Sequence, residues 1–227
     1  HQFQLSATTG YTLSFGGDLN VSGGTLNLLT GIASGNGPAN INLGGNFNHS
    51  AGTIAWPSST GSEGSGNFKF TGGAGSVACT MQTTDNPAKL NVIVDPGKTV
   101  TMLCHLQTGT SGLRTMTVSG TLLCNGFLVQ GSAAFSLSAG ATLGITSGFG
   151  IATSPTLSGS IQSTSTRTFS TSANYIYNAS ANQAAGNGLP ATVNNLTIAN
   201  AGGSGANIVT LGQNTTVSGT LTLSRGL

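Results

Sequence analysis

Apolar residues in this chain come in short alternating runs, and the runs keep restarting. Leu19-Asn20-Val21, Ile41-Asn42-Leu43, Phe68-Lys69-Phe70, Leu90-Asn91-Val92, Phe135-Ser136-Leu137, Tyr175-Ile176-Tyr177, Leu196-Thr197-Ile198 and Leu221-Thr222-Leu223 all show a period of two. Gly, Asn, Ser or Pro closes each run within a few residues. A period of two places alternate side chains on opposite faces of a strand, and the closing residues supply tight turns. Apolar stripes of period 3.6 are missing, and Gly interrupts almost every window long enough for a helix. The chain is therefore expected to be all-β, built of many short strands.

The runs belong to longer repeats. Gly16-Gly17-Asp18-Leu19-Asn20-Val21 matches Gly44-Gly45-Asn46-Phe47-Asn48-His49, and Gly66-Asn67-Phe68 reads as a weaker third copy. Val94-Asp95-Pro96-Gly97-Lys98-Thr99-Val100 is echoed by Leu137-Ser138-Ala139-Gly140-Ala141-Thr142-Leu143. Thr117-Val118-Ser119-Gly120-Thr121-Leu122 returns unchanged at Thr216 to Leu221. Periods of about 20–30 residues mark a solenoid, in which one coil cannot bury its apolar side but a stack of coils can. The expectation is a right-handed parallel β-helix, one β-solenoid domain over residues 1–227, with divergent coils in 1–89 and a repeat region in 90–227. Roughly 22 residues per coil gives about ten coils, and a 4.8 Å strand spacing makes a rod on the order of 50 Å long.

Composition narrows the function. Only 4% of the 227 residues are charged and the net charge is +2, against about a quarter charged in an ordinary soluble domain. The six cations are scattered, so the clustered charge that phosphate recognition needs is missing and no nucleic-acid partner is expected. A hydrophobic content of 37% with alternating pattern argues against disorder. No apolar run approaches the length of a membrane-spanning helix, and no membrane insertion through a helix is expected. No signal peptide is visible; a start at His1 and an end on strand-like sequence suggest a processed product or a segment.

Three cysteines, Cys79, Cys104 and Cys124, lie about one coil apart. They read as an inward ladder of small apolar thiols, with a disulfide between two neighbours as the alternative. No Cys-x-x-Cys pair supports a zinc or redox site.

From about Leu90 onward the chain resembles the repeats of large secreted or cell-surface adhesin-like β-helix proteins of Bacteroidota and related bacteria, many of which are similar to type IX secretion substrates. The resemblance rests on Arg167-Thr-Phe-Ser-Thr-Ser-Ala-Asn-Tyr-Ile-Tyr-Asn178, Gly186-Asn-Gly-Leu-Pro-Ala-Thr-Val-Asn-Asn-Leu-Thr-Ile198 and Thr216-Val-Ser-Gly-Thr-Leu-Thr-Leu223. It implies an extracellular, β-helical protein and carries no catalytic residues. The part of the chain before Leu90 matches it in style alone.

Chemistry-bearing residues are sparse. The acids are Asp18, Glu63, Asp85 and Asp95. Glu63 and Asp85 lie about one coil apart and are the pair a carbohydrate-active β-helix would use. Asp85 and Asp95 also read as turn residues beside Pro. His1, His49 and His105 are too far apart in sequence to form a local metal site, so neither metal nor cofactor is expected. Trp56, Tyr175 and Tyr177 are candidates for stacking on glycans, with an inward core position as the competing reading.

Function is thus expected to be structural or adhesive rather than enzymatic. Strand alternation reaches both ends, at Phe3, Leu5, Tyr11 and Leu13 and at Val217, Leu221, Leu223 and Leu227, with no capping helix in sight. Uncapped coils favour head-to-tail addition of another copy or continuation into neighbouring repeats, and a fibre on the cell surface, with surface glycans as a further partner. An ice-binding solenoid would carry Thr-x-Thr at the same place in every coil. Thr99-Val-Thr101, Thr115-Met-Thr117 and Thr220-Leu-Thr222 do not recur at a constant interval, which counts against that reading.

Overall fold

In the computed structural model every strand pairing is parallel, and no helix occurs among the described residues, which are 2–4, 11–27, 39–55, 66–72, 75–80, 90–108, 114–154 and 158–224. Each coil passes through the same faces in turn. The first face is a ten-stranded parallel sheet running from Gln2–Gln4 through Leu19–Asn27, Phe47–Ala55, Gly75–Thr80, Lys98–Met102, Thr121–Leu123, Thr142–Ile145, Asn174–Tyr177 and Asn195–Ile198 to Leu221–Leu223. The second is a seven-stranded sheet from Tyr11–Phe15 to Arg167–Phe169. A third, three-stranded face joins Leu106–Thr108, Val129–Gly131 and Ile161–Ser163. The expected β-solenoid is the observed fold.

Seven coils contribute to both main sheets, fewer than an even repeat would give. Coil length is not even: the chain from Leu122 to its partner Leu143 is much shorter than the chain from Leu143 to its next partner, Tyr175. The extra residues sit in the connections, and the strands keep their register. Ten strands at about 4.8 Å place the ends of the first sheet roughly 45 Å apart.

Register turns the alternating runs into columns. In the second sheet Leu13, Ile41, Phe68, Val92, Met116 and Phe135 stack inward, and beside them stack Phe15, Leu43, Phe70, Val94, Val118 and Leu137. In the first sheet Val100, Leu122, Leu143, Tyr175 and Leu196 form one column, buried throughout. The sequence repeats map onto these columns. Leu19 pairs with Phe47, as the match between the Gly16 and Gly44 segments requires. Val94 and Leu137 share a column two coils apart, as do Val100 and Leu143. Gly66-Asn67-Phe68 is not a third copy of the Gly16 motif: Asn67 pairs with Asn40 and Phe68 with Ile41, in the other sheet. The likeness is confined to the Gly-Asn-Phe sequence: Gly45 and Asn46 precede the Phe47–Ala55 strand, whereas Gly66 and Asn67 already lie within the Gly66–Phe70 strand.

Outward columns hold the coils together by a second set of bonds. The Asn67 amide donates to Asn40 Oδ1 (2.8 Å), the Asn91 amide donates to Asn67 Oδ1 (3.1 Å), and Thr115 donates to Asn91 Oδ1 through its backbone N–H (3.1 Å). An amide can accept on its oxygen and donate from its nitrogen, so Asn propagates such a chain at the strand spacing. Corners are set by residues that tolerate close approach. Gly97 and Gly140 take φ of +79° and +76° at equivalent turns. Gly120 fills the corresponding corner of the coil between them, and a Cβ there would lie 2.2 Å from the Asp95 carbonyl oxygen.

Truncating an inward column should therefore cost more than cutting an outward ladder. Leu143→Ala is expected to lower unfolding free energy by about 2–5 kcal/mol and Asn67→Ala by about 1 kcal/mol. Urea titration compares the two, and equal losses would contradict the division between core and ladder.

Candidate functional site

The C-terminal coil leaves core positions uncovered. Leu221 and Leu223 continue the columns of Leu196 and Ile198 by direct pairing. Their inner neighbours are buried or half-buried, yet Leu221 is 53% and Leu223 74% exposed. Ile208 and Leu211 are exposed beside them and Val217 is half-buried. The Leu221–Leu223, Val209–Thr210 and Thr216–Val217 strands each pair on one side only among the described residues. At the other end Phe3 pairs with Leu26, and Tyr11 and Leu13 lie half-buried on the edge strand of the second sheet. Leu5 and Leu227 lie outside the described residues.

Tyr175 and Tyr177 are not available to a glycan. Both side chains are fully buried, and the hydroxyls donate to the Ser170 carbonyl at 2.7 Å and the Ala185 carbonyl at 2.9 Å. Their even spacing placed them on one face of a strand, and that face is the core. Desolvation pushes both phenols well above the ordinary tyrosine range. Trp56 lies outside the described residues. Among the described residues Phe149 is a large exposed aromatic, at 71%, in a Gly148-Phe149-Gly150 corner that no periodicity singled out.

The cysteines do not form one ladder. By register, Cys79 pairs with Met102, and Cys124 follows Leu123, the partner of Thr101, so it takes the next place in that column. Met102 thus stands between the two cysteines. Cys104 lies past Met102 along the chain, at the corner, and is half-buried. The interval from Cys79 to Cys104 overshoots the coil that ends at Met102, which carries Cys104 off the column. Cys124 is a free thiol whose burial pushes its pKa up to about 12, so it is inert at neutral pH.

Among the described residues titratable groups are dispersed. Asp18 accepts from the Asn46 backbone N–H at 2.7 Å, which holds its carboxyl below the usual range. Asp95 pairs with Lys69 at 3.1 Å. Glu63 and Asp85 lie outside the described residues. His49 is buried in register with Val21, and His105 Nδ1 accepts the Leu128 N–H at 3.1 Å. Among the described residues no three His, Cys, Asp or Glu side chains are close enough to share a metal. Three cations sit where their charge would not place them: Lys98, Arg114 and Arg167 are buried. Arg167 takes the inward place after Phe135, donates from Nε to the Ser163 carbonyl at 2.7 Å and from Nη1 to the Ala152 carbonyl at 3.1 Å, and has its pKa lowered by desolvation.

The outward face of the first sheet carries two registered columns. One column runs Thr99, Thr121, Thr142, Asn174, Asn195, and the adjacent one runs Thr101, Leu123, Gly144, Ile176, Thr197, Thr222. Neither column contains a charged or aromatic residue. Thr99-Val-Thr101 and Thr220-Leu-Thr222, unrelated by any constant interval, thus stand on the same face, while Thr115-Met-Thr117 belongs to the second sheet.

The buried phenols set an alkaline limit. A raised folded pKa means the unfolded chain loses its phenolic protons first. Stability is then full below about pH 10, the unfolded value, and falls as pH rises beyond it. Urea midpoints between pH 9 and 11.5 should drop steeply, and Tyr175→Phe/Tyr177→Phe should flatten that slope; an unchanged slope in the double variant would contradict the assignment.

No protein-family model, curated protein or solved structure matches this chain.

Proposed function

We propose that the chain is a structural, adhesive segment of an extracellular surface fibre, extended along its axis by further coils of the same kind. The observation that carries this reading is the uncovered C-terminal rung. Leu221 and Leu223 keep the core register and are exposed, and a further rung stacked on them would bury each at a gain of about 1.5–3 kcal/mol. The unpaired strand edges offer backbone donors and acceptors in the same parallel register. The covering coil comes from a second copy added head to tail or from neighbouring repeats, a heterologous contact that repeats without closing. Sparse charge removes the repulsion that would keep such ends apart. The extracellular setting follows from the resemblance to secreted adhesin-like repeats.

Sedimentation and electron microscopy of the purified chain test the reading. End-to-end association is expected at high concentration. Leu223→Lys should abolish it by placing a charge in the contact, whereas Phe149→Lys, at a side corner, should leave it intact. A dispersed monomer at every concentration, or equal loss in both variants, rejects the proposal.

A further inference from the structure

An asparagine followed by glycine is open to attack on its side chain by the next backbone nitrogen, because glycine has no Cβ to hinder the approach. Asn125-Gly126 and Asn187-Gly188 are such pairs, and Asn36-Gly37 lies outside the described residues. The fold treats the two described pairs differently.

Asn125 and Gly126 are both exposed and form the tip of a tight turn, closed by the Phe127 N–H donating to the Cys124 carbonyl at 2.8 Å. Their φ angles are +50° and +87°, and a Cβ built on Gly126 would meet nothing within 4 Å. The Gly126 N–H donates to Thr146 Oγ1 in the next coil at 2.8 Å, and the Asn125 amide donates to the Met102 carbonyl in the previous coil at 3.2 Å. Gly188, by contrast, is buried, and a Cβ there would lie 2.9 Å from both the Ala152 nitrogen and the Ile151 carbonyl carbon. The Gly188 N–H donates to the Ile151 carbonyl at 2.9 Å, and Asn187 Oδ1 accepts the Thr153 N–H at 3.2 Å. Cyclisation requires the glycine nitrogen to lose its proton and swing onto the side-chain carbonyl carbon. At Gly126 the proton points to a hydroxyl, which can pass it to water, and open space surrounds the turn. At Gly188 a peptide carbonyl holds the proton and packed backbone blocks the swing.

We propose that Asn125 is a self-modifying site that deamidates in the folded chain while Asn187 is protected. The Gly126 nitrogen bonds to Asn125 Cγ and closes a succinimide, and the Asn125 amide nitrogen leaves as ammonia, carrying the proton that Gly126 gives up. Water then opens the ring at either carbonyl, giving aspartate or isoaspartate, and nothing is oxidised or reduced. Either product puts a carboxylate, which can only accept, where an amide donated to Met102. Isoaspartate also adds a methylene to the main chain inside the turn. That displaces the Phe127 and Leu128 N–H groups, the second of which donates to His105 Nδ1 at 3.1 Å, just before the Val129–Gly131 strand at the centre of the third face. The site does not depend on how the ends of the solenoid are covered.

The test is incubation of the purified full chain in mildly alkaline buffer, with and without urea, followed by peptide mapping with mass spectrometry. In the folded chain Asn125 should convert at least tenfold faster than Asn187, to a mixture of aspartate and isoaspartate. In urea the two should convert at similar rates. Asn36 is read in its own peptide and bears on neither rate. Equal rates in the folded chain, or an unmodified Asn125, overturns the proposal; aspartate without isoaspartate overturns the cyclic route. Asn125→Asp, which installs one product outright, should lower the urea midpoint, and an unchanged midpoint would overturn the structural consequence. The rate comparison uses the parent chain, so it stands even if that variant fails to fold.

Discussion

Everything in this molecule depends on one constraint, the parallel backbone register between successive coils. A parallel pair places like side chains directly above one another, so each choice made in one coil is stacked against a choice in the next. Because the side-chain period is two, a slip of one residue would turn every inward column outward. The structure avoids slips by two devices. Inward columns such as Val94, Val118 and Leu137 lose burial if displaced, and outward columns such as Asn40, Asn67 and Asn91 lose their amide bonds. The same register places Tyr177 beside Ile145 and so in the core, and Thr121 beside Thr99 and so on a shared surface.

The architecture was legible because both of its signals are local. Period-two runs bounded by Gly and Asn fix the strands, and their recurrence fixes the stacking. The pairing of Leu19 with Phe47 could be read from two similar segments. What could not be read was which strand belongs to which face. Gly66-Asn67-Phe68 resembles Gly44-Gly45-Asn46-Phe47 but pairs with Asn40 and Ile41. The two sheets use the same residue types, and only the length of the intervening connection separates them.

The candidate sites were less legible for the same reason. Tyr175 and Tyr177 share a face, and the sequence alone does not say whether that face is inside. The charge of Arg167 suggests a solvated place; its position opposite Phe135 made it inward, and carbonyl groups at the corner accept its hydrogen bonds. Coils of unequal length carry constant spacing in the strands and irregular spacing in the chain.

The short pairings near the C-terminal end have a mechanical meaning. Inter-coil hydrogen bonds run along the axis, so an axial pull passes through every rung in series and is limited by the rung with fewest bonds. Coils in the middle are joined by longer ladders, such as the one that runs from Gly66 opposite Leu90 to Phe70 opposite Val94, with the Lys69–Asp95 ion pair at its end. The last coils are joined by Gln183–Ala184 to Val209–Thr210 and by Thr192–Val193 to Thr216–Val217, beside the pairing of Leu196–Ile198 with Leu221–Leu223. Under load such short ladders yield before the long ones, so the axial strength of the solenoid varies from rung to rung.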